Sequence, residues 1–343
     1  MGARRMSEDK KQIQINEEQR KKDISSIDRL FKDIKDYRHS SEFMKKLEFY
    51  SNFPYIGVYN AELVALQRPG ARFVLTAKKW ADKYDRVIKP NARPLIILVP
   101  FYPVEFLFDI SDTKPRNKNM SDDDRTIENI INQYRASCRH DTSYYLNRVV
   151  ENLAKHGIHL NTHYIVGSEI HAEISADCSE ILLVNVYKDF RLQNKNYFTI
   201  SVSANKNAEV LAAVFHELGH LFCHHLSHPW CKQRLFSDQE EEKIIKEFEA
   251  EIVSHLVCSR LDIESNSVEY LANYFNDNDL IPDISLEHVF QAVDAIQSMA
   301  SEYISITDCL LYKHDETFKG KVDEEREKRK KKKEKAKAAR PSM

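Results

Sequence analysis

The stretch Ala212-Ala-Val-Phe-His-Glu-Leu-Gly-His-Leu-Phe222 places a His-Glu-x-x-His pentad inside an apolar segment of helical character. Four residues is slightly more than one helical turn, so His216 and His220 project from one face and can share one metal ion. Glu217, one position along, is offset from that pair. Its carboxylate can reach a water beside the metal without ligating the metal itself. Two imidazoles and one further protein ligand leave zinc an open position, where a neighbouring carboxylate can take a proton from water. The bare pentad arises by accident in about one chain in a hundred at average composition, so its surroundings decide what it means.

Those surroundings are specific. Upstream, Asn196-Tyr-Phe-Thr-Ile-Ser-Val-Ser203 reads as a strand, rich in β-branched and aromatic residues. Ala204-Asn-Lys-Asn207 reads as a turn, with an asparagine suited to cap a helix beginning near Ala208. Downstream, Pro229 is expected to stop that helix, because proline removes a backbone donor and disfavours helix in the residue before it. A second helix is expected from about Ser237 to Arg260, opening on Asp238 and Glu240 to Glu242, where acidic groups suit the helix dipole. Strand, short turn and metal-bearing helix form the core of a zincin.

The third ligand is expected from the second helix, in Lys246-Glu-Phe-Glu-Ala-Glu-Ile-Val-Ser-His255. Glu247 and Glu251 stand four apart on one face, beside His255. A zinc-binding glutamate is commonly followed four residues on by a group that hydrogen-bonds a ligating imidazole. Spacing therefore favours Glu247 as ligand and Glu251 as the group that orients a histidine. Glu249, expected on the side of Ile245, Ile252 and Val253, is held in reserve as a ligand. The plain alternative is a solvated acidic helix face. His224 continues the stripe of His216 and His220, while His225 and His228 crowd the helix end. A metzincin would have Gly and His three and six residues beyond the pentad, but Cys223 and Leu226 stand there, so that class is excluded. His224, His225 and His228 are read as helix-end or cleft-edge residues, and Cys223 and Cys258 as small core residues. No Cys-x-x-Cys pair occurs, which argues against a zinc ribbon or redox motif.

With these residues placed, the chain resembles a known family. His216-Glu-Leu-Gly-His220 followed by Glu247-Phe-Glu-Ala-Glu-Ile-Val-Ser254 resembles ImmA/IrrE-type metallopeptidases, and the peptidase half of ArdC-type antirestriction proteins above all. Leu261 to Tyr274 and the stretch from Leu286 to Ile304 continue the likeness. Asn60-Ala-Glu-Leu-Val-Ala-Leu-Gln-Arg-Pro-Gly-Ala71, Trp80, Pro94-Leu-Ile-Ile-Leu-Val-Pro100 and Phe108-Asp-Ile-Ser-Asp-Thr113 resemble the ArdC amino-terminal domain. The resemblance implies single-stranded DNA as a partner of that domain, with Lys78, Lys79 and Trp80 as candidate contacts. One departure is visible. The family usually carries a glycine in the basic turn before its apolar strand, whereas this turn is Lys89-Pro-Asn-Ala-Arg-Pro94.

A length of 343 residues suggests two domains, and seven glycines make glycine-loop nucleotide folds a poor match. The net charge of −2 hides an asymmetry, because residues 29–93 hold 14 Lys/Arg against 7 Asp/Glu and residues 319–340 hold 12 against 5. A basic amino-terminal half with Phe49, Tyr50, Phe53, Tyr55 and Tyr59 could track phosphates and stack bases, although those aromatics also fall near helical spacing and suit a core. The longest apolar run, Pro94 to Phe101, is too short to cross a bilayer, and Met1-Gly-Ala-Arg-Arg shows no secretory h-region. Six scattered cysteines fit reduced thiols, so no membrane partner and a cytoplasmic location are expected.

The expected fold is α+β, an ArdC-like amino-terminal domain followed by a helix-rich, gluzincin-like zincin metallopeptidase domain. The expected boundaries are a loose polar stretch at 1–25, a mixed domain at 26–113, a linker at 114–124, the metallopeptidase domain at 125–310 and a basic low-complexity tail at 311–343. Within these, helices are expected around Asn129 to Tyr134 and Tyr144 to His156. Strands are expected at Leu95 to Val99, Ile158 to Val166 and Ile181 to Val186, the last two completing a sheet beside the metal helix. The expected activity is zinc-dependent hydrolysis of peptide bonds in a protein substrate, with Glu217 as general base. Two alternatives stay open: a single-stranded DNA-binding antirestriction protein with a structural or weakly hydrolytic metal centre, and a scaffold with a vestigial pentad.

Overall fold

The computed structural model describes residues 40–301, apart from 99–103, 118–121, 138, 156, 165–169, 177–179, 185–190, 196–197, 227–233, 235, 237–238, 268, 272–273 and 275–279. The architecture is mixed α+β. The carboxy-terminal part is organised by strand β10 (Phe198–Ala204), in which Phe198, Ile200, Val202 and Ala204 are buried and the intervening Thr199, Ser201 and Ser203 are half-buried. That alternation is what one buried sheet face requires. β10 lies between β6 (Ile158–Tyr164), which runs parallel to it, and β7 (His171–Ala176), which runs antiparallel.

A two-residue link leads from β10 into helix α6 (Asn207–Phe222). The Glu209 carboxylate accepts hydrogen bonds from the backbone of Asn205 and Lys206, so a glutamate one turn in ties the helix start, and Lys206 occupies the cap position expected of an asparagine. Val210, Leu211, Val214, Phe215, Leu218, Leu221 and Phe222 form the buried stripe of α6. This stripe packs against helix α7 (Gln239–Leu261) and helix α8 (Leu286–Ser301) as well as the sheet. Where α6 and α7 pack together, Gly219 faces Ala250. A Cβ added at Gly219 would lie 2.9 Å from Ala250 Cα.

Helices α1 (Ser40–Ser51) and α2 (Val58–Gln67) open the described chain and pack on the same core. The Phe43 and Phe248 rings stack at 6.4 Å, and Tyr50 meets Phe290 edge-on at 5.3 Å. Residues upstream of position 113, the expected domain edge, share one apolar cluster with α6, α7 and α8. Three polar side chains staple the turn between α1 and α2 to the carboxy-terminal helices. Arg260 donates to the carbonyls of Tyr50 and Ile56, Gln297 donates to that of Pro54, and Asp294 accepts from the Val58 backbone.

A sheet ordered β1 (Val74–Leu75), β4 (Glu105–Asp109), β3 (Leu95–Ile97) completes the amino-terminal part with helix α3 (Ala77–Tyr84). Asp109 ends β4 and accepts hydrogen bonds from the backbone of Arg72, Phe73 and Ser111, which closes the strand against its neighbour. On the far edge of β3, the Gln67 amide both donates to and accepts from Ile96, and the Asn60 amide does the same for Leu98. Strands β2 (Arg86–Ile88) and β5 (Thr113–Pro115) pair with each other, so Lys114 and Pro115, in the segment read as a linker, belong to a strand. Helix α4 (Asp124–Ser137) then leads to α5 (Thr142–Lys155).

Two expectations need correction. Strand β8 (Glu180–Val184) does not join the sheet beside the metal helix among the described residues; it pairs with β9 (Arg191–Lys195) as a hairpin. The third strand is β7, whose polar outward residues mask its strand pattern. Helix α6 ends at Phe222, and His224 takes a left-handed conformation (φ 61°), so His224 leaves the stripe of His216 and His220. Pro229 and His228 lie outside the described residues. No helix among the described residues is long and apolar enough to cross a membrane.

Candidate metal centre

Helix α6 carries His216 and His220 one turn apart, and their Nε2 atoms stand 3.3 Å from each other. Across from them, Glu247 on α7 brings one carboxylate oxygen to 3.5 Å from His216 Nε2 and the other to 3.8 Å from His220 Nε2. Ligands held 2.0–2.2 Å from a tetrahedral ion stand roughly 3.3–3.6 Å from one another, so the two imidazoles and the Glu247 carboxylate lie close to the spacing a small divalent cation takes. Gly219, one residue before His220, leaves no room for a Cβ against the Ala250 backbone, so α6 and α7 are in close contact beside the site.

Each histidine is fixed from behind. His216 Nδ1 lies 3.0 Å from a Glu251 oxygen, and Ser267 hydrogen-bonds the same carboxylate. His220 Nδ1 instead meets His225 Nδ1 at 3.0 Å, and His225 Nε2 meets Glu249 at 2.8 Å. Glu249 is fully buried and accepts further bonds from Arg234 at 2.9 Å and from the Ser285 backbone at 2.6 Å. Glu249 thus faces away from the metal pair, and its carboxylate already has three donors. Glu249, the reserve ligand, is thus held away from His216 and His220, and His225, expected as a helix-end or cleft-edge residue, is buried.

Charges follow from these contacts. Burial alone would lower the His216 pKa, but Glu247 and Glu251 together outweigh it and raise it to about 10. Burial lowers His220 to about 3, with His216 and His225 adding to the effect. Without a metal, His216 is therefore the imidazole that carries positive charge, and His220 stays neutral. Hydrogen bonding by His216 holds Glu247 below the usual carboxylate range. Burial works against the charge of Glu249, but His225 and Arg234 keep it ionised. Glu217 is buried on the sheet side, where the loss of water raises its pKa and the Ile174 backbone of β7 hydrogen-bonds its carboxylate. A carboxylate raised in this way is better poised to accept a proton and hand it on.

Cys223, His225 and Glu249 also place ligand atoms near one another, all of them buried. The imidazole and carboxylate there are already bonded to each other and to Arg234, and burial keeps the Cys223 thiol protonated. The candidate nucleic-acid residues separate. Lys78 and Lys79 are exposed on α3. Trp80 is fully buried, its ring 5.3 Å from Phe73 and its indole N–H donating to the Phe108 carbonyl at 2.8 Å. Trp80, expected as a candidate contact, is therefore corrected to a core residue, because its ring is fully buried.

No protein-family model matches the chain, and no curated protein matches it. Among solved structures it is similar to the crystal structure of the antirestriction ArdC protein from the R388 plasmid in its Mn(II)-bound form. The two are 14% identical, with a TM-score of 0.29, over 73% of this chain and 86% of that one. A likeness of that degree carries no weight for the chemistry, which stands on the residues themselves.

Proposed function

We propose that the chain is a zinc-dependent metallopeptidase of ImmA/IrrE and ArdC type, acting on a protein substrate. The observation that supports this reading is the convergence of His216, His220 and Glu247 beside a buried, proton-accepting Glu217. A bound zinc ion would supply Lewis acidity, polarising a peptide carbonyl and acidifying a nearby water. The protein does the rest. Glu217 takes the proton from the attacking water and passes it to the leaving amine. Glu251 holds His216 through Nδ1, which aims its Nε2 at the cation site shared with His220 and Glu247, and the apolar stripe of α6 anchors the helix that carries both histidines. The test is Glu217→Gln, assayed for zinc content and for cleavage of a library of unstructured peptides. The variant should stay folded, keep its zinc and lose turnover by roughly a hundredfold or more. Equal rates for variant and wild type would remove Glu217 from the chemistry.

A second reading has its own support. Lys78, Lys79, Lys83, Lys89 and Arg93 are all exposed on the amino-terminal part, as a phosphate-tracking surface requires. On this reading the chain is a single-stranded DNA-binding antirestriction protein with a structural or weakly hydrolytic metal centre.

A further inference from the structure

We propose that His225 is a positioning residue for His220, coupling it to the buried Glu249 carboxylate. The proposal rests on His216, His220 and Glu247 forming the cation site. For His220 to face that site with its Nε2 lone pair, its ring proton must sit on Nδ1. The atom facing Nδ1 is another imidazole nitrogen, His225 Nδ1, at 3.0 Å. Two ring nitrogens this close hold one proton between them, so His225 accepts there and carries its own proton on Nε2. That proton meets Glu249 at 2.8 Å. Each donor then has one acceptor, and the order from His220 through His225 to Glu249 admits a single set of tautomers.

The backbone builds this contact. The left-handed turn at His224 folds the chain back, so that the His225 N–H donates to the His220 carbonyl at 2.9 Å and the two rings lie side by side. Glu249 is kept in register by Arg234 and the Ser285 backbone, which bring the segments after α6 and before α8 to the same carboxylate. The two metal-facing histidines are thus supported unequally. Glu251 touches His216 directly, whereas Glu249 acts on His220 only through His225. Groups that orient a ligating histidine are typically worth roughly ten- to a hundredfold in metal affinity.

The test uses the full chain labelled with 15N histidine and two measurements. In metal-free wild type at neutral pH, ring-nitrogen shifts should show His220 protonated on Nδ1 and His225 on Nε2. A proton on His225 Nδ1 overturns the proposal. In zinc titrations against a competing chelator, His225→Phe should bind roughly ten- to a hundredfold more weakly. His225→Asn, whose amide oxygen takes the place of Nδ1, should recover most of that loss. Wild-type affinity in His225→Phe, or an equal loss in both variants, would reduce His225 to a packing residue. A wild type that binds no zinc ends the peptidase reading, and the tautomers still decide the relay.

Discussion

Gly219→Ala probes whether the thin contact between α6 and α7 sets the metal site. The new methyl would stand 2.9 Å from Ala250 Cα, 3.2 Å from its carbonyl oxygen and 3.3 Å from its Cβ. Carbon atoms rest at about 3.5–4.0 Å, so the helices must part by roughly 0.6–1 Å. Alanine in place of glycine favours the helix by about 1 kcal/mol, and overpacking costs about 1–3 kcal/mol, leaving a net loss of roughly 1 kcal/mol. The larger effect falls on function. His216 and His220 share α6 and move together, while Glu247 rides on α7 and is drawn away from both. Metal sites tolerate ligand errors of about 0.2 Å, so zinc affinity should drop more than tenfold. Urea unfolding of the metal-free protein and zinc competition titrations measure the two effects separately. The nearest atom is backbone, so adding Ala250→Gly should not restore binding. A variant that is about 1 kcal/mol more stable and binds zinc like wild type would refute the reasoning.

Three further outcomes are expected. With metal removed, the raised His216 pKa of about 10 contributes stability that is fully present below its unfolded value of about 6.5 and is lost as pH rises toward 10; denaturation of chelated protein across that window should show the decline, and a flat or rising curve would contradict the ion contacts at His216. Charge reversal at Lys78 and Lys79 should weaken salt-sensitive binding of single-stranded DNA with stability changed by less than about 0.5 kcal/mol, whereas Trp80→Ala should cost roughly 3–5 kcal/mol of stability through its cavity; no binding by wild type at low salt would end the nucleic-acid reading.

What is legible in the chain is what one element can encode. His216 with His220, and Glu247 with Glu251, obey the spacing of a single helix, so their shared faces can be read without knowing the fold. Strand β10 is equally plain, because its alternation of apolar and hydroxyl residues matches one buried face. What escapes depends on partners distant in sequence. Glu249 looks like one more acidic residue on α7, and only the turn at His224 and the return of Arg234 and Ser285 make it a buried hub. The doublet His224-His225 just past the metal helix is the one trace of that arrangement in the sequence, and its meaning hangs on a backbone angle. Trp80 fails as a surface residue for a similar reason, since the apolar partners Phe73 and Ile110 come from outside α3.

The amide pair on β3 has a consequence for how this molecule behaves among copies of itself. A strand at the rim of a sheet ordinarily offers a row of unmet donors and acceptors, a template on which a foreign chain can polymerise. Here Asn60 and Gln67, two helical turns apart on α2, present amides that imitate a neighbouring strand at Leu98 and Ile96. The rim is stoppered by side chains that cannot propagate the ladder. Ile96 and Phe106 lie exposed on the same sheet, apolar enough to reward stacking between molecules. Two carboxamides thus cover backbone groups at the rim of a sheet with exposed apolar side chains, and replacing either with an aliphatic residue would leave those groups open to another chain.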